Sequence, residues 1–417
     1  MISAATADRV ACYHTRRAAE LIAKARSIVV LTGAGVSVSA GIPDFRSPGG
    51  MYETLRPELL TATAAERAAM SLDPTAVVSW SLFRDNSLPY LELRRPFILN
   101  VAEARWKATA THHFWEALAD RGALRRVFTQ NIDGLDFQLN LPAEMLVHPH
   151  GTIGEAACEA CGVAVESYVE FAAQVATQIR DIYATKAAAE EEPRGDVEAV
   201  ASAVAADHAC GEPRPEGAKS MPLPPHGGLA GPAISTPIVC SNPACAAPLV
   251  KPATVLYGRS LPPRFFELKD ADLAAADLVI VAGTSLTVGP ANSVALDALC
   301  PRIFLNHIMP SCFDAARGDV MLKGDCDESV IALAMAVDAV EEVEGGGSEG
   351  GGGVFDALVA AAKSVVGWQS LAVASASKLL RWSKWTEWGE GGGRGSTVAR
   401  RYVLISVYSI FITNLNR

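Results

Sequence analysis

Ser27 to Thr32 is a short β-branched run that ends at once in Gly33, Ala34 and Gly35. A run of this kind reads as a buried strand, and the glycines after it read as a tight turn into a helix N-terminus. Arg125 to Thr129, Leu278 to Ala282 and Arg302 to Leu305 repeat the pattern of a short apolar strand ending in polar residues. Helical stretches lie between them, for example His112 to Ala119 with Thr111 as the expected cap. Strands separated by helices predict an α/β fold, a Rossmann-like doubly wound parallel sheet with its ligand crevice at the carboxyl ends of the strands. Most of the polar motifs fall at such an end.

Other segments depart from this pattern. Residues 1–26 read as an N-terminal helical lead-in. Residues 172–237 are Ala/Glu-rich and then Pro/Gly-rich, which reads as an insertion made of a helix and a loop. A Gly-rich linker over 341–353 ends the globular part, and 354–417 form a tail with Trp382, Trp385 and Trp388 at three-residue spacing, to which no role is assigned. The longest apolar stretch, Tyr402 to Ile412, is about half of the roughly 20 residues that a membrane-spanning helix needs, so no span is expected.

A formal charge of -10 argues against broad electrostatic attraction to nucleic acid, and no direct nucleic-acid partner is expected. Nine cysteines are an odd number and no secretory leader precedes the first strand, which points to a reducing compartment, nuclear or cytoplasmic. The Ala-rich basic start has a transit-peptide look, but Asp8 and Glu20 weaken a mitochondrial reading.

The turn Gly33, Ala34, Gly35 has the form of a dinucleotide loop, where missing side chains let backbone N–H groups approach a pyrophosphate, although Val38 stands where a third glycine would be. By itself the motif is a weak signal, with a merely structural tight turn as the alternative. Asp44, Phe45 and Arg46 then place a carboxylate, a ring and a guanidinium beside it, a cluster that hydride transfer does not need. Gln130, Asn131, Ile132 and Asp133 follow a strand, where their polar groups can reach into the crevice; Asn131 or Asp133 also suits a helix cap. His150, with Gly151 after it and His148 as a decoy, is the side chain best suited to exchange protons near neutral pH. Cys158 and Cys161 form one pair, and Cys240 and Cys245 a second. Four thiolates on two knuckles match a closed tetrahedral zinc site, although the gap between the pairs exceeds the usual spacing and free thiols are the alternative.

In this order, together with Gly283, Thr284, Ser285 and Leu286, then Asn306 and Gly324 to Asp327, these motifs resemble the sirtuin family over roughly residues 18–340. The resemblance implies an NAD-dependent protein-lysine deacylase, most readily a deacetylase, that releases nicotinamide and O-acyl-ADP-ribose. It implies a catalytic domain over 27–340, with Rossmann-like parts at 27–50, 111–157 and 252–340. A small domain would come from 51–110 and a structural zinc module from 158–251. Gly33, Ala34, Gly35, Gly283, Thr284, Ser285, Asn306 and Cys326 would hold phosphates, ribose and adenine. Asp44, Phe45 and Arg46 would line the cofactor loop. Gln130, Asn131, Ile132 and Asp133 would serve the nicotinamide end, His150 would be the general base, and Val255, Leu256, Tyr257 and Gly258 would pair with substrate backbone. Partners would be acyl-lysine proteins, with histones as one class.

The chain departs from the family pattern at Arg259, where sirtuins usually carry an acid, at Asp136 with Phe137, and at Pro149. Sirtuins that remove succinyl or malonyl groups carry a Tyr-x-x-Arg pair after the cofactor loop; none occurs between Met51 and Ala110, which favours a neutral acyl group. Competing readings are a sirtuin-like mono-ADP-ribosyltransferase on the same NAD site, a non-catalytic NAD-responsive binding module, and a dehydrogenase.

Overall fold

A computed structural model describes residues 4–42, 55–183 and 231–343. Asp44, Phe45 and Arg46, most of the expected insertion, the Gly-rich linker beyond Val343 and the Trp-bearing tail lie outside the described residues; residues 341–343, read as the start of that linker, end the last helix instead. Six parallel strands form the main sheet: β1 (Ile28–Thr32), β2 (Leu124–Thr129), β3 (Leu146–Val147), β6 (Leu278–Ala282), β7 (Arg302–Asn306) and β8 (Val320–Lys323). Their order is β3-β2-β1-β6-β7-β8, which is Rossmann-like, with the reversal between β1 and β6.

Alternation along β1 explains why its sequence is apolar throughout. Ile28 and Val30 enter one core with Trp115, Leu118 and Val330, while Val29 and Leu31 enter the opposite one with Phe128, Phe265 and Phe304. Both faces are covered, so no polar position is needed. Helix α1 (Ala4–Lys24) belongs to the first core rather than leading up to it, because Ala18, Ala19 and Ile22 pack there with Leu333 and Val337 of the last helix, Cys326–Val343. Helix α5 (Ala110–Asp120) starts two residues earlier than the sequence pattern indicates. Thr109 caps it, its N–H donating to His112 Nδ1 at 3.2 Å, while the Thr111 hydroxyl donates to Asp327 at 2.5 Å.

A second unit packs α2 (Ala64–Leu72), α3 (Trp80–Asp85), α4 (Leu88–Ala102) and α6 (Tyr168–Gln178) with an antiparallel pair, β4 (Gly151–Cys158) and β5 (Val250–Thr254). Its core includes Phe83, Tyr90, Phe97, Phe171, Val175, Ile179 and Val250. The expected insertion therefore does not begin at Ala172, which is buried inside α6 with Ala176. Ala-rich composition hid an apolar face made by Phe171, Ala172, Val175, Ala176 and Ile179. Glu92 and Arg95, both buried on α4, tie it to this segment: Glu92 accepts from Arg180 Nε at 3.0 Å and Ser235 Oγ at 2.6 Å, and Arg95 donates to Ile179 C=O at 2.9 Å.

The chain re-enters this unit beside where it left. A Cβ built on Gly231 lies 2.9 Å from the Asp181 N, so the two ends of the segment 184–230 are adjacent. Replacing 184–230 with a short Gly/Ser linker is expected to change stability only on the order of 1 kcal/mol. Zinc and NAD binding, read by metal analysis and calorimetry, should survive; loss of both would place that segment in the core. No helix among the described residues is long and apolar enough to cross a membrane.

Candidate functional site

At the reversal of the sheet two backbones meet without side chains between them. Gly33 N–H donates to Ala282 C=O (3.0 Å) and Gly35 N–H to Gly283 C=O (2.8 Å). A Cβ on Gly35 would lie 2.6 Å from Gly283 Cα, and one on Gly283, at φ +63, would lie 2.6 Å from Val36 N. Only glycine fits this contact. Ala34 to Ala40 then form a tight 3₁₀ turn closed by Gly41 at φ +82. The resulting side-chain-poor floor at the strand ends suits a dinucleotide phosphate.

Polar groups from β2 reach the same floor. Gln130 N–H donates to Thr32 C=O (2.9 Å), and its Oε1 accepts from the Thr284 hydroxyl (2.7 Å). Asn131 Nδ2 donates to Ser37 Oγ (3.1 Å), and Ser37 Oγ donates to Asp133 Oδ2 (2.7 Å). Asp133 Oδ1 accepts from Leu135 N–H at 3.1 Å, an Asx-type turn, as the capping reading expects. Ile132 C=O accepts from Ile153 N–H at 2.7 Å, fixing the loop to β4. Burial raises the Asp133 carboxyl above its ordinary range; His112 opposes this and the Asp136 charge adds to it. A ring nitrogen of His112 lies within 4.8 Å of carboxylate oxygens of both aspartates. His112 Nδ1 lies against Thr109, 3.2 Å from its N–H and 2.9 Å from its hydroxyl, which leaves Nε2 on the side of the two aspartates. Sequence reasoning missed Ser37 and His112. The signal for Ser37 was a small hydroxyl two residues past the second glycine; that for His112 was visible only in space.

His150 follows β3. A carbonyl oxygen can only accept, so the 3.0 Å contact between His150 Nδ1 and Gln130 C=O fixes the Nδ1–H tautomer and leaves the basic lone pair on Nε2. His150 C=O accepts from Val255 N–H at 2.8 Å, which binds the histidine to the start of the 255–258 segment. Gly151 is required here, since at φ +70 a Cβ would lie 2.0 Å from Ala253 O. His148 is separated from this arrangement. Its ring stacks on Phe137 at 5.2 Å, and its Nε2 lies 4.0 Å from Asp136 Oδ2.

On the other side of the reversal, Asn306 Nδ2 donates to Thr284 C=O (3.0 Å), and Ser285 Oγ lies 3.0 Å from Thr287 Oγ1. Cys326 is buried, its thiol donating to Leu305 C=O at 3.5 Å; burial pushes it up to about 12, so it is no nucleophile. Tyr257 uses its N–H on Val78 C=O (3.0 Å) and its C=O on Trp80 N–H (2.8 Å), while Leu256 C=O accepts from Arg259 N–H at 3.0 Å.

Cys158, Cys161, Cys240 and Cys245 converge, with all four sulfurs within 4.8 Å of one another. Cys158 to Cys245 is 3.8 Å and Cys161 to Cys240 is 3.7 Å. A tetrahedron with metal–sulfur bonds of about 2.3 Å has edges of about 3.8 Å, so the four thiols fit zinc. The Val163 N–H lowers the Cys161 thiol to about 7, whereas burial and the neighbouring thiols raise Cys240 and Cys245, so the fit to zinc rests on the sulfur geometry.

The Sir2 family profile matches residues 33–290. The chain is 28% identical over 336 residues to the NAD-dependent protein deacetylase hst2 of Schizosaccharomyces pombe, covering 79% of this chain and 78% of that one. It is 30% identical over 311 residues to the NAD-dependent protein deacetylase sirtuin-3 of Mus musculus, covering 73% and 70%. A solved structure of a Sir2 enzyme superposes with a TM-score of 0.50 at 23% identity, over 79% of this chain and 99% of that one; this likeness speaks to the fold.

Proposed function

The chain belongs to the Sir2 family, and from that premise we propose that it is an NAD-dependent protein-lysine deacetylase releasing nicotinamide and O-acyl-ADP-ribose. The observation that carries the reading is His150, held by Gln130 of the cofactor floor on one side and by Val255 of the substrate segment on the other. When bound, NAD supplies a sugar carbon activated by a good leaving group. Around it, Gly33, Ala34, Gly35, Gly283, Thr284 and Ser285 would seat the phosphates, with Asn306 and Cys326 on the adenosine side. Gln130, Asn131 and Asp133, braced by Ser37, would orient the nicotinamide end.

His150 Nε2 would take the proton from a ribose hydroxyl, and the Gln130 carbonyl would stabilise the charged ring through Nδ1–H. Tyr257 is already paired with residues 78–80 and Leu256 C=O with Arg259 N–H, so the substrate backbone would pair on the opposite edge through Leu256 N–H and Gly258. Four sulfurs around one zinc leave no open position, which assigns the metal a structural task.

Nicotinamide release from NAD should depend on an added acyl-lysine peptide, and acetyl-lysine should be used in preference to succinyl-lysine. Release that is indifferent to peptide, or faster with succinyl-lysine, would count against this reading.

A further inference from the structure

The turn that ends the substrate segment carries a positive charge for which the deacetylase chemistry has no use. Arg259 N–H donates to Leu256 C=O at 3.0 Å, and Gly258 takes φ +88, so residues 256–259 close a tight turn. Two contacts hold the Arg259 side chain there. Its guanidinium carbon lies 4.9 Å over the Trp80 ring, and its Nε lies 3.2 Å from Glu159 Oε1. The other oxygen of Glu159 takes Lys251 Nζ at 3.0 Å.

Two cations thus share one carboxylate, so these three side chains together carry one net positive charge. Lys251 is buried, with its side chain 2% exposed, whereas that of Arg259 is 47% exposed, so the excess charge is presented by Arg259. A guanidinium has five N–H donors in a planar fork, more than one shared carboxylate can accept. Held by ring and ion pair, the side chain has given up rotamer freedom before any substrate arrives, which lowers the entropy cost of binding a second carboxylate.

We propose that Arg259 selects acyl-lysine peptides with an aspartate or glutamate beside the acyl-lysine and disfavours basic flanks. This rests on the deacetylase reading and on a peptide lying along Val255 to Gly258. Acetyl-lysine peptides flanked by Asp, Ser or Lys are compared on the full chain through the KM for nicotinamide release. The Asp-flanked peptide should have a KM roughly 3- to 5-fold below the Lys-flanked one, the size one half-exposed charge pair supports. That difference should shrink in about 0.5 M salt, vanish in Arg259→Gln and reverse in Arg259→Glu. Equal KM values in the unmodified protein, or a preference that persists in Arg259→Gln, would overturn the proposal. The Ser-flanked peptide separates the two levels: no turnover on it counts against the deacetylase reading. Fluorescence anisotropy of the same peptides then still reads the charge preference by itself.

Discussion

Replacing His150 with alanine is expected to lower turnover of an acetyl-lysine peptide by roughly 100-fold or more, the usual scale for losing a general base. NAD binding should persist. The floor that would hold the dinucleotide is backbone contact among Gly33, Gly35 and Gly283, with Asn131 and Asp133 joined through Ser37, and none of these bonds uses the imidazole. His148→Ala should do much less, because that ring stacks on Phe137 and faces Asp136 rather than Gln130. Steady-state nicotinamide release and calorimetry with NAD read the two effects separately. An inactive His148→Ala beside an active His150→Ala would reverse the assignment of the base.

Cys240→Ser should lower metal content from about one zinc per chain and destabilise the small unit on the order of 3 kcal/mol or more. The size follows from position. Cys158 and Cys240 are buried in the same core as Phe171, Ile238 and Val250, and each knuckle is closed by its own backbone bonds, Cys158 N–H to Val163 C=O at 2.9 Å and Cys240 N–H to Ala247 C=O at 2.9 Å. Three sulfurs would leave the metal an open position and the two knuckles without a common anchor. Metal analysis together with a denaturant midpoint reads both changes. Full metal retention at an unchanged midpoint would contradict the four-thiolate site.

What the sequence disclosed followed from how far apart the interacting groups lie. β1, β6 and β7 were legible because a strand covered on both faces must be apolar at nearly every position. β3, with two residues, and β8, with four, are too short to carry a pattern. Helix α4 carried no readable pattern for another reason: it buries Glu92 and Arg95, whose partners Arg180, Ser235 and Asp181 come from distant parts of the chain. The same partners draw residues 172–182 into the core, which composition alone read as insertion. In the candidate site, glycines and the cysteine pairs announced themselves by spacing. Ser37, His112 and the Gly151 contact with Ala253 did not, since each owes its place to a residue that arrives from another element.

The most direct measurement of the central claim is the product balance when the purified full chain is incubated with NAD and an acetyl-lysine peptide. The account predicts nicotinamide, O-acetyl-ADP-ribose and free lysine peptide in equal amounts, with negligible nicotinamide when the peptide carries unmodified lysine. Nicotinamide released with the acetyl group still on the peptide and ADP-ribose attached to protein would contradict it.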